Sequence, residues 1–283
     1  MRISKIGLRL GGASLHHSLH EYNEYSFGKG WTLVKGASGS GKTAIVNAIS
    51  SVFECTNFIS TYSYDLLFSD GGEIILDFYQ DNSKVTVTKK WEGSDAPASQ
   101  IYANGGFEES AIIVKPFITS LPHYSRNYSE HEIACIESLT QENPLVLEEV
   151  NSGLRRVGMY FQIELVNSEI LFVRPDGRWV NVLATGDRLF ARMAILSAIH
   201  KHTGAPLIFD DWWVGLSADN FSRFFKYLAM VKEECPEGQF IFTIFDYSDD
   251  LFLTRLLQPD SRYGIEDYIE NVVTLPLMKK DDE

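Results

Sequence analysis

The chain has 283 residues, of which 45% are hydrophobic and 13% aromatic, enough for a packed core and incompatible with global disorder. A formal net charge of −13 and a pI near 5.0 argue against an autonomous basic surface for duplex DNA, leaving a local basic patch or a basic partner open. Cys55, Cys135 and Cys235 stand far apart without C-x-x-C spacing, and neither the opening MRISKIGLRLGG nor any later apolar run suits a signal peptide or a membrane span. The expectation is a soluble, cytoplasmic protein with inert thiols and no membrane insertion.

Residues 1 to 11 alternate apolar Ile3, Ile6, Leu8 and Leu10 with polar positions and predict a strand ending at Gly11-Gly12. His16, His17 and His20 follow in a polar connection. No Cys or carboxylate pair completes a metal site in that segment, so a surface loop is the simpler reading. Trp31, Thr32, Leu33 and Val34 predict a buried strand, and Ala44, Ile45, Ala48, Ile49, Val52 and Phe53 recur with helical period.

Between them runs GASGSGKT, comprising Gly36, Ala37, Ser38, Gly39, Ser40, Gly41, Lys42 and Thr43. Its spacing is G-x-x-x-x-G-K-S/T, the phosphate loop whose backbone N–H groups cradle a polyphosphate. Gly36, Gly39 and Gly41 are expected to allow positive φ and close approach of the backbone to the phosphates. A helix starting near Lys42 and Ala44 turns its N-terminal dipole towards the anion. Lys42 is expected to reach the β- and γ-phosphates, and the Thr43 hydroxyl to sit on Mg²⁺. The cofactors implied are ATP and Mg²⁺. Tyr22, Tyr25 and Phe27, just upstream, are either core residues or a face on which adenine stacks.

Farther on, Glu73–Tyr79 and Lys84–Lys90 flank QDNS and predict an antiparallel hairpin. SDAPASQIYANGGFEES is rich in turn formers and predicts an exposed loop, and Ala111–Lys115 a short strand stopped by Pro116. From Ser129 to Val157 the period is helical, broken into two helices at Asn143-Pro144. Tyr160–Leu165 and Glu169–Arg174 predict another hairpin, followed by a turn at Pro175-Asp176-Gly177 and a strand over Trp179–Val182. A helix is expected over Asp187–His200 with Leu189, Met193, Leu196 and Ile199 on one face. Pro206–Phe209 predicts a buried parallel-type strand, Asn220–Glu234 an amphipathic helix and Gln239–Phe245 a last apolar strand, ahead of a frayed KKDDE tail.

A phosphate loop needs a carboxylate for Mg²⁺ at the end of a nearby strand, and LIFDD supplies one in Asp210. Asp211 then stands where an attacking water is polarised. The competing reading of the two acids is a helix cap and a surface charge.

The order GASGSGKT, then Leu183–Arg188 (LATGDR) opening a helix, then LIFDD, resembles an ABC-type ATPase, in particular the SMC, SbcC and RecF group. Gly215, Leu216 and Asn220 are similar to its D-loop stretch, and QFIFTIFD to the strand leading to its switch histidine. The likeness covers most of residues 1 to 60 and 180 to 250. It implies an α/β fold of the P-loop NTPase, ABC-ATPase type, with a mixed sheet core, an antiparallel β subdomain and a short helical insertion. It also implies three parts: a lobe over 1–115 with the phosphate loop and hairpins, a helical lever over 116–158, and a lobe over 159–283 with the signature, the acidic strand and the D-loop. Two such chains, identical or different, would sandwich ATP head to tail. Each nucleotide would then lie between one phosphate loop and the partner's signature, here Ala184, Thr185, Gly186 and Asp187.

Several positions depart from that pattern. Ala184 replaces the signature serine, Asp211 the usual glutamate and Ser217 the D-loop aspartate. Phe245 stands at the switch histidine, and no glutamine appears near Ile113–Ser120. Each lost transition-state contact costs about a hundredfold or more, so slow hydrolysis, or a site completed by a different partner chain, is expected. The implied role is an ATP-dependent dimerising ATPase acting on DNA in repair, recombination or genome defence, directly or with a nuclease-type or other effector. Two other readings compete: a nucleotide-binding subunit of a membrane transporter, and a non-hydrolysing ATP sensor whose dimerisation is the output.

Overall fold

A computed structural model of the chain describes residues 1–10, 21–37, 39–53, 71–92, 98–103, 106–107, 116–120, 128, 130–210, 217–245 and 269–275. His16, His17, His20, Cys55, the strand expected over Ala111–Lys115 and the KKDDE tail lie outside them.

Strand β1 (Arg2–Leu10) buries Ile3, Ile6, Leu8 and Leu10 completely. Those positions slip by one between Ile3 and Ile6, and a β-bulge between Ile3 and Lys5 absorbs the slip, keeping all four on the core side. β1 pairs antiparallel with β2 (Asn23–Ser26) and β4 (Gly72–Gln80), and β4 with β5 (Ser83–Trp91). The β4–β5 turn is the expected one: Asp81 and Asn82 take φ of 50° and 66°, the left-handed pair that matches the twist of a two-residue hairpin.

The stretch expected to be an exposed loop instead continues this sheet. β6 (Ala98–Ala103) pairs with β5, and β7 (Gly106–Phe107) pairs with β6. Ile101 and Ala103 alternate with Gln100 and Tyr102, a short period-2 signal hidden among turn formers. The sheet order is β2-β1-β4-β5-β6-β7.

The second sheet has the order β13-β3-β12-β11-β8, formed by β3 (Trp31–Gly36), β8 (Phe117–Ser120), β11 (Leu207–Asp210), β12 (Phe240–Phe245) and β13 (Ile269–Thr274). All its described pairings are parallel. The expected mixture of strand directions is thus divided between two sheets. β13 carries no strong sequence signal, because Glu270, Asn271 and Thr274 interrupt its apolar residues at the sheet edge.

Alternate side chains of the parallel sheet enter two different cores. Leu33, Leu207, Phe209, Phe240 and Phe242 join a core with the helices α2 (Glu130–Glu142), α3 (Leu145–Arg156), α4 (Thr185–Thr203) and α5 (Ala218–Glu234). Val34, Ile208 and Ile241 join the other, with α1 (Lys42–Val52) and the antiparallel sheet. Helices α1 and α4 therefore lie on opposite faces of one sheet. Gln239 bolts the two sheets together: its Nε2 donates to Ile3 O at 2.7 Å and Gly28 O at 2.8 Å, and its Oε1 accepts from Ile3 N at 2.8 Å.

The α2–α3 break falls at Asn143-Pro144 as expected, and β9 (Gln162–Val166) and β10 (Glu169–Val173) form the expected hairpin. The strand expected over Trp179–Val182 reduces to an isolated bridge between Val173 and Trp179. Trp179 and Val182 are 68% and 76% exposed, so no layer among the described residues covers a second strand there. Helix α4 is buried on all sides rather than on one face, from Phe190 to His200 with Arg192 as the exception. Ala191, Ala194, Ser197 and Ala198 let neighbours approach closely, and Glu132 grips the Arg192 guanidinium with two bonds of 2.7 and 2.9 Å. His200, fully buried beside Phe240, donates from Nδ1 to Ala205 O at 2.6 Å, and burial pushes its pKa down to about 4.

Candidate functional site

Because β3, β11 and β12 are parallel, Gly36, Asp210 and Phe245 all end on one edge of the sheet, where ligands of open α/β folds bind. The Gly36-to-Thr43 loop leaves β3 there and turns into α1. Gly39 and Gly41 adopt φ of 77° and 98° as expected. Gly36 does not: it is the last residue of β3, and its lack of a side chain serves another purpose. A Cβ on Gly36 would sit 2.3 Å from Ser40 Oγ, so the missing atom lets the loop fold back on its own strand. Ser38 lies outside the described residues. Ser40 N donates to Ala37 O at 3.2 Å, closing the turn.

Helix α1 starts at Lys42 with Gly41 as N-cap, no side-chain cap and no acid in its first turn. The helix's own first turn therefore carries nothing that offsets the positive end of its dipole at Lys42, Thr43 and Ala44. Every residue of α1 is buried except Thr43. The Lys42 ammonium bonds Gly36 O and Ala37 O, each at 2.9 Å, and so clasps the loop.

Thr43 Oγ1 stands 3.1 Å from Asp210 Oδ2 and 3.3 Å from Oδ1, uniting the two residues expected to hold a metal. Asp210 is 4% exposed. A third side chain joins them: Thr243 Oγ1 donates to Asp210 Oδ1 at 2.7 Å. Thr243 is the register partner of Asp210 on β12 and is fully buried. Sequence reasoning passed over it, although a hydroxyl inside the apolar run FIFTIF was the available signal. The oxygen donor set of Thr43 and Asp210 suits a hard cation such as Mg²⁺. Ser40 Oγ, buried and without a hydrogen-bond partner among the described residues, fits a loop shaped to receive an acceptor-rich group.

Asp211, Gly215 and Leu216 lie outside the described residues. Ser217 caps α5, its hydroxyl accepting from Asn220 N at 3.3 Å. The backbone of Phe245 pairs with Gly36, which puts that position at the root of the loop. Phe27 belongs to the core, and the Tyr22 hydroxyl rests against Gly7 and Glu24. Among the described residues no group of His, Cys, Asp and Glu side chains forms a metal cluster.

Ala184 is the N-cap of α4, again with no side-chain cap, and the helix begins at Thr185, two residues earlier than expected. A Cβ on Gly186 would lie 3.0 Å from Asn220 Nδ2, so the openings of α4 and α5 meet there. Ala184, Thr185, Gly186 and Asp187 therefore open on the sheet face opposite α1. One chain brings Lys42, Thr43 and Asp210 together and holds the LATGDR turn apart from them.

No family model matches the sequence, and no curated protein matches it. Solved structures do. An Smc head bound to the C-winged helix domain of ScpA matches with a TM-score of 0.63 at 17% identity, over 87% of this chain and 90% of that one. An Smc head with an extended coiled coil, bound to the C-terminal domain of ScpA derived from Pyrococcus furiosus, gives 0.62 at 15% identity over the same shares. The recombination mediator RecF-ATPrS of the RecFOR pathway gives 0.55 at 11% identity, over 87% of this chain and 93% of that one. This chain has the α/β fold of an SMC/RecF-type, ABC-class P-loop ATPase head.

Proposed function

We propose that the chain binds ATP with Mg²⁺, closes into a head-to-tail dimer around it, hydrolyses it slowly and acts on DNA with a partner. The observation that carries this is the meeting of Lys42, Thr43 and Asp210 at one sheet edge while Ala184–Asp187 opens on the other face. Half of an ATP sandwich is thereby offered on each side of the molecule. Lys42 would exchange its loop carbonyls for the β- and γ-phosphates, and the loop N–H groups would hold the remaining phosphate oxygens. Thr43 and Asp210 would hold Mg²⁺, which when bound neutralises charge across the phosphates. Asp211 would orient the attacking water. A second chain's α4 N-terminus would face the γ-phosphate, with Thr185 beside the position where Ala184 offers no hydroxyl.

Alanine at 184 and phenylalanine at 245 favour slow turnover, each removing a donor worth roughly a hundredfold. The same two residues favour a second reading, an ATP sensor whose dimerisation is the output. ScpA bound to the neighbouring Smc heads supports a protein partner, and a nuclease-type effector in repair, recombination or genome defence suits an acidic chain. No helix among the described residues is long and apolar enough to cross a membrane.

Light-scattering mass with and without ATP and Mg²⁺ tests the sandwich, using Asp211→Asn to hold the bound state. The 32.0 kDa chain should double in mass only with nucleotide, and a monomer under all conditions refutes the dimer. Hydrolysis indistinguishable from Lys42→Ala, despite ATP binding, would select the sensor. Salt-dependent DNA binding that requires ATP supports direct action on DNA, and its absence in every nucleotide state with the partner present removes it.

A further inference from the structure

Thr243 sits in the middle strand of the parallel sheet, fully buried, with Val34 of β3 on one side and Asp210 of β11 on the other. The residue two positions earlier on the same face is Ile241, a core residue. Valine would fill the Thr243 volume without burying a hydroxyl, which costs free energy unless it is bonded. That hydroxyl donates to one specific oxygen, Asp210 Oδ1, at 2.7 Å. Thr43 Oγ1 approaches the other, Oδ2, more closely than Oδ1, at 3.1 against 3.3 Å.

We infer that Thr243 is a positioning residue that fixes the Asp210 carboxylate through Oδ1, leaving Oδ2 the nearer of the two oxygens to Thr43, and that this restraint sets the site's preference for Mg²⁺ over Ca²⁺. The inference rests on the nucleotide-binding reading above. Ca²⁺ takes six to eight oxygens at longer distances and uses carboxylates in bidentate fashion, whereas Mg²⁺ keeps its waters and accepts one oxygen or a water-mediated contact. A carboxylate pinned through one oxygen suits the smaller ion. The hydroxyl acts through Asp210, and residues in that position typically change metal affinity by about 10- to 100-fold.

The test measures equilibrium binding of a fluorescent ATP analogue to the full chain in EDTA, in Mg²⁺ and in Ca²⁺. Mn²⁺ occupancy is followed separately by electron paramagnetic resonance. Wild type should bind more tightly in Mg²⁺ than in EDTA, and more tightly in Mg²⁺ than in Ca²⁺. Thr243→Val should lose about tenfold or more of the Mg²⁺-dependent gain and bring the Mg²⁺ and Ca²⁺ affinities together, while its binding in EDTA stays at the wild-type level. Thr243→Ser, which retains the donor, should restore the Mg²⁺ gain to within about twofold of wild type, against the 10- to 100-fold cost of losing it. Thr243→Ala gives a second hydroxyl-free variant should valine fail to fold. A purely structural role would lower stability in EDTA and leave the Mg²⁺ to Ca²⁺ ratio intact. An unchanged ratio in both hydroxyl-free variants, with wild type binding nucleotide normally, overturns the inference alone. No nucleotide binding by wild type in any condition overturns the nucleotide reading and this inference with it.

Discussion

Replacing Lys42 with methionine separates what this side chain does for the loop from what it does for a ligand. Methionine keeps a long apolar stem in a site only 5% exposed and deletes the ammonium. The bonds to Gly36 O and Ala37 O, each 2.9 Å long, are among those that disappear. Hydrogen bonds to charged groups are worth roughly 1.5 to 3 kcal/mol apiece, but the two share one ammonium and the half-buried Ala37 carbonyl regains water. A net loss of about 2 kcal/mol follows. For a chain of 283 residues that corresponds to a fall in Tm of roughly 3 to 4 °C. The assay is thermal and urea denaturation of the nucleotide-free protein in EDTA, so that lost ligand binding contributes nothing. An unchanged midpoint would refute the idea that Lys42 clasps its own loop, and leave it a residue that waits for phosphate.

Ala184→Ser combined with Phe245→His should raise turnover per bound ATP by about tenfold or more while leaving affinity within a few-fold, as single-turnover and binding measurements would show. Gln239→Leu should cost about 3 kcal/mol, because Ile3 N, Ile3 O and Gly28 O lose their partner, and should speed hydrogen exchange at Ile3. His200 contributes a pH dependence of definite sign. Its pKa falls from 6.5 to about 4 through burial, so between those values the unfolded chain binds a proton that the folded chain refuses. Stability from this group is complete above pH 6.5 and declines as the pH falls towards 4, by up to about 3 kcal/mol. Urea midpoints from pH 7 to 4.5 should fall less steeply for His200→Gln than for wild type.

Much of the site was legible because its chemistry is local. Glycines, Lys42 and Thr43 are contiguous, and Asp210 announces itself by ending an apolar strand. Thr243 was not legible in the same way, since its partner lies 33 positions away and only the register of two parallel strands makes them neighbours. Gly36 shows the reverse: glycine was expected, but for positive φ rather than for the packing of Ser40. β6 was hidden because turn formers on both sides outweighed a four-residue alternation. The all-round burial of α4 depends on how many helices surround it, a tertiary fact that overrides a one-face pattern. Trp179–Val182 has strand-forming residues and no partner layer among the described residues, so propensity lost to the lack of something to pack on.

The parallel sheet sorts its side chains into two sets that meet different neighbours. Helix α1 draws on one set and α4 on the other. Changes of packing at Ile49 and at Phe190 should therefore be thermodynamically independent, their double substitution adding to within about 0.5 kcal/mol. Influence of one face on the other has a direct route through the sheet itself, as sliding or tilting of β11 against β12, and Thr243–Asp210 is a side-chain bond that spans that seam.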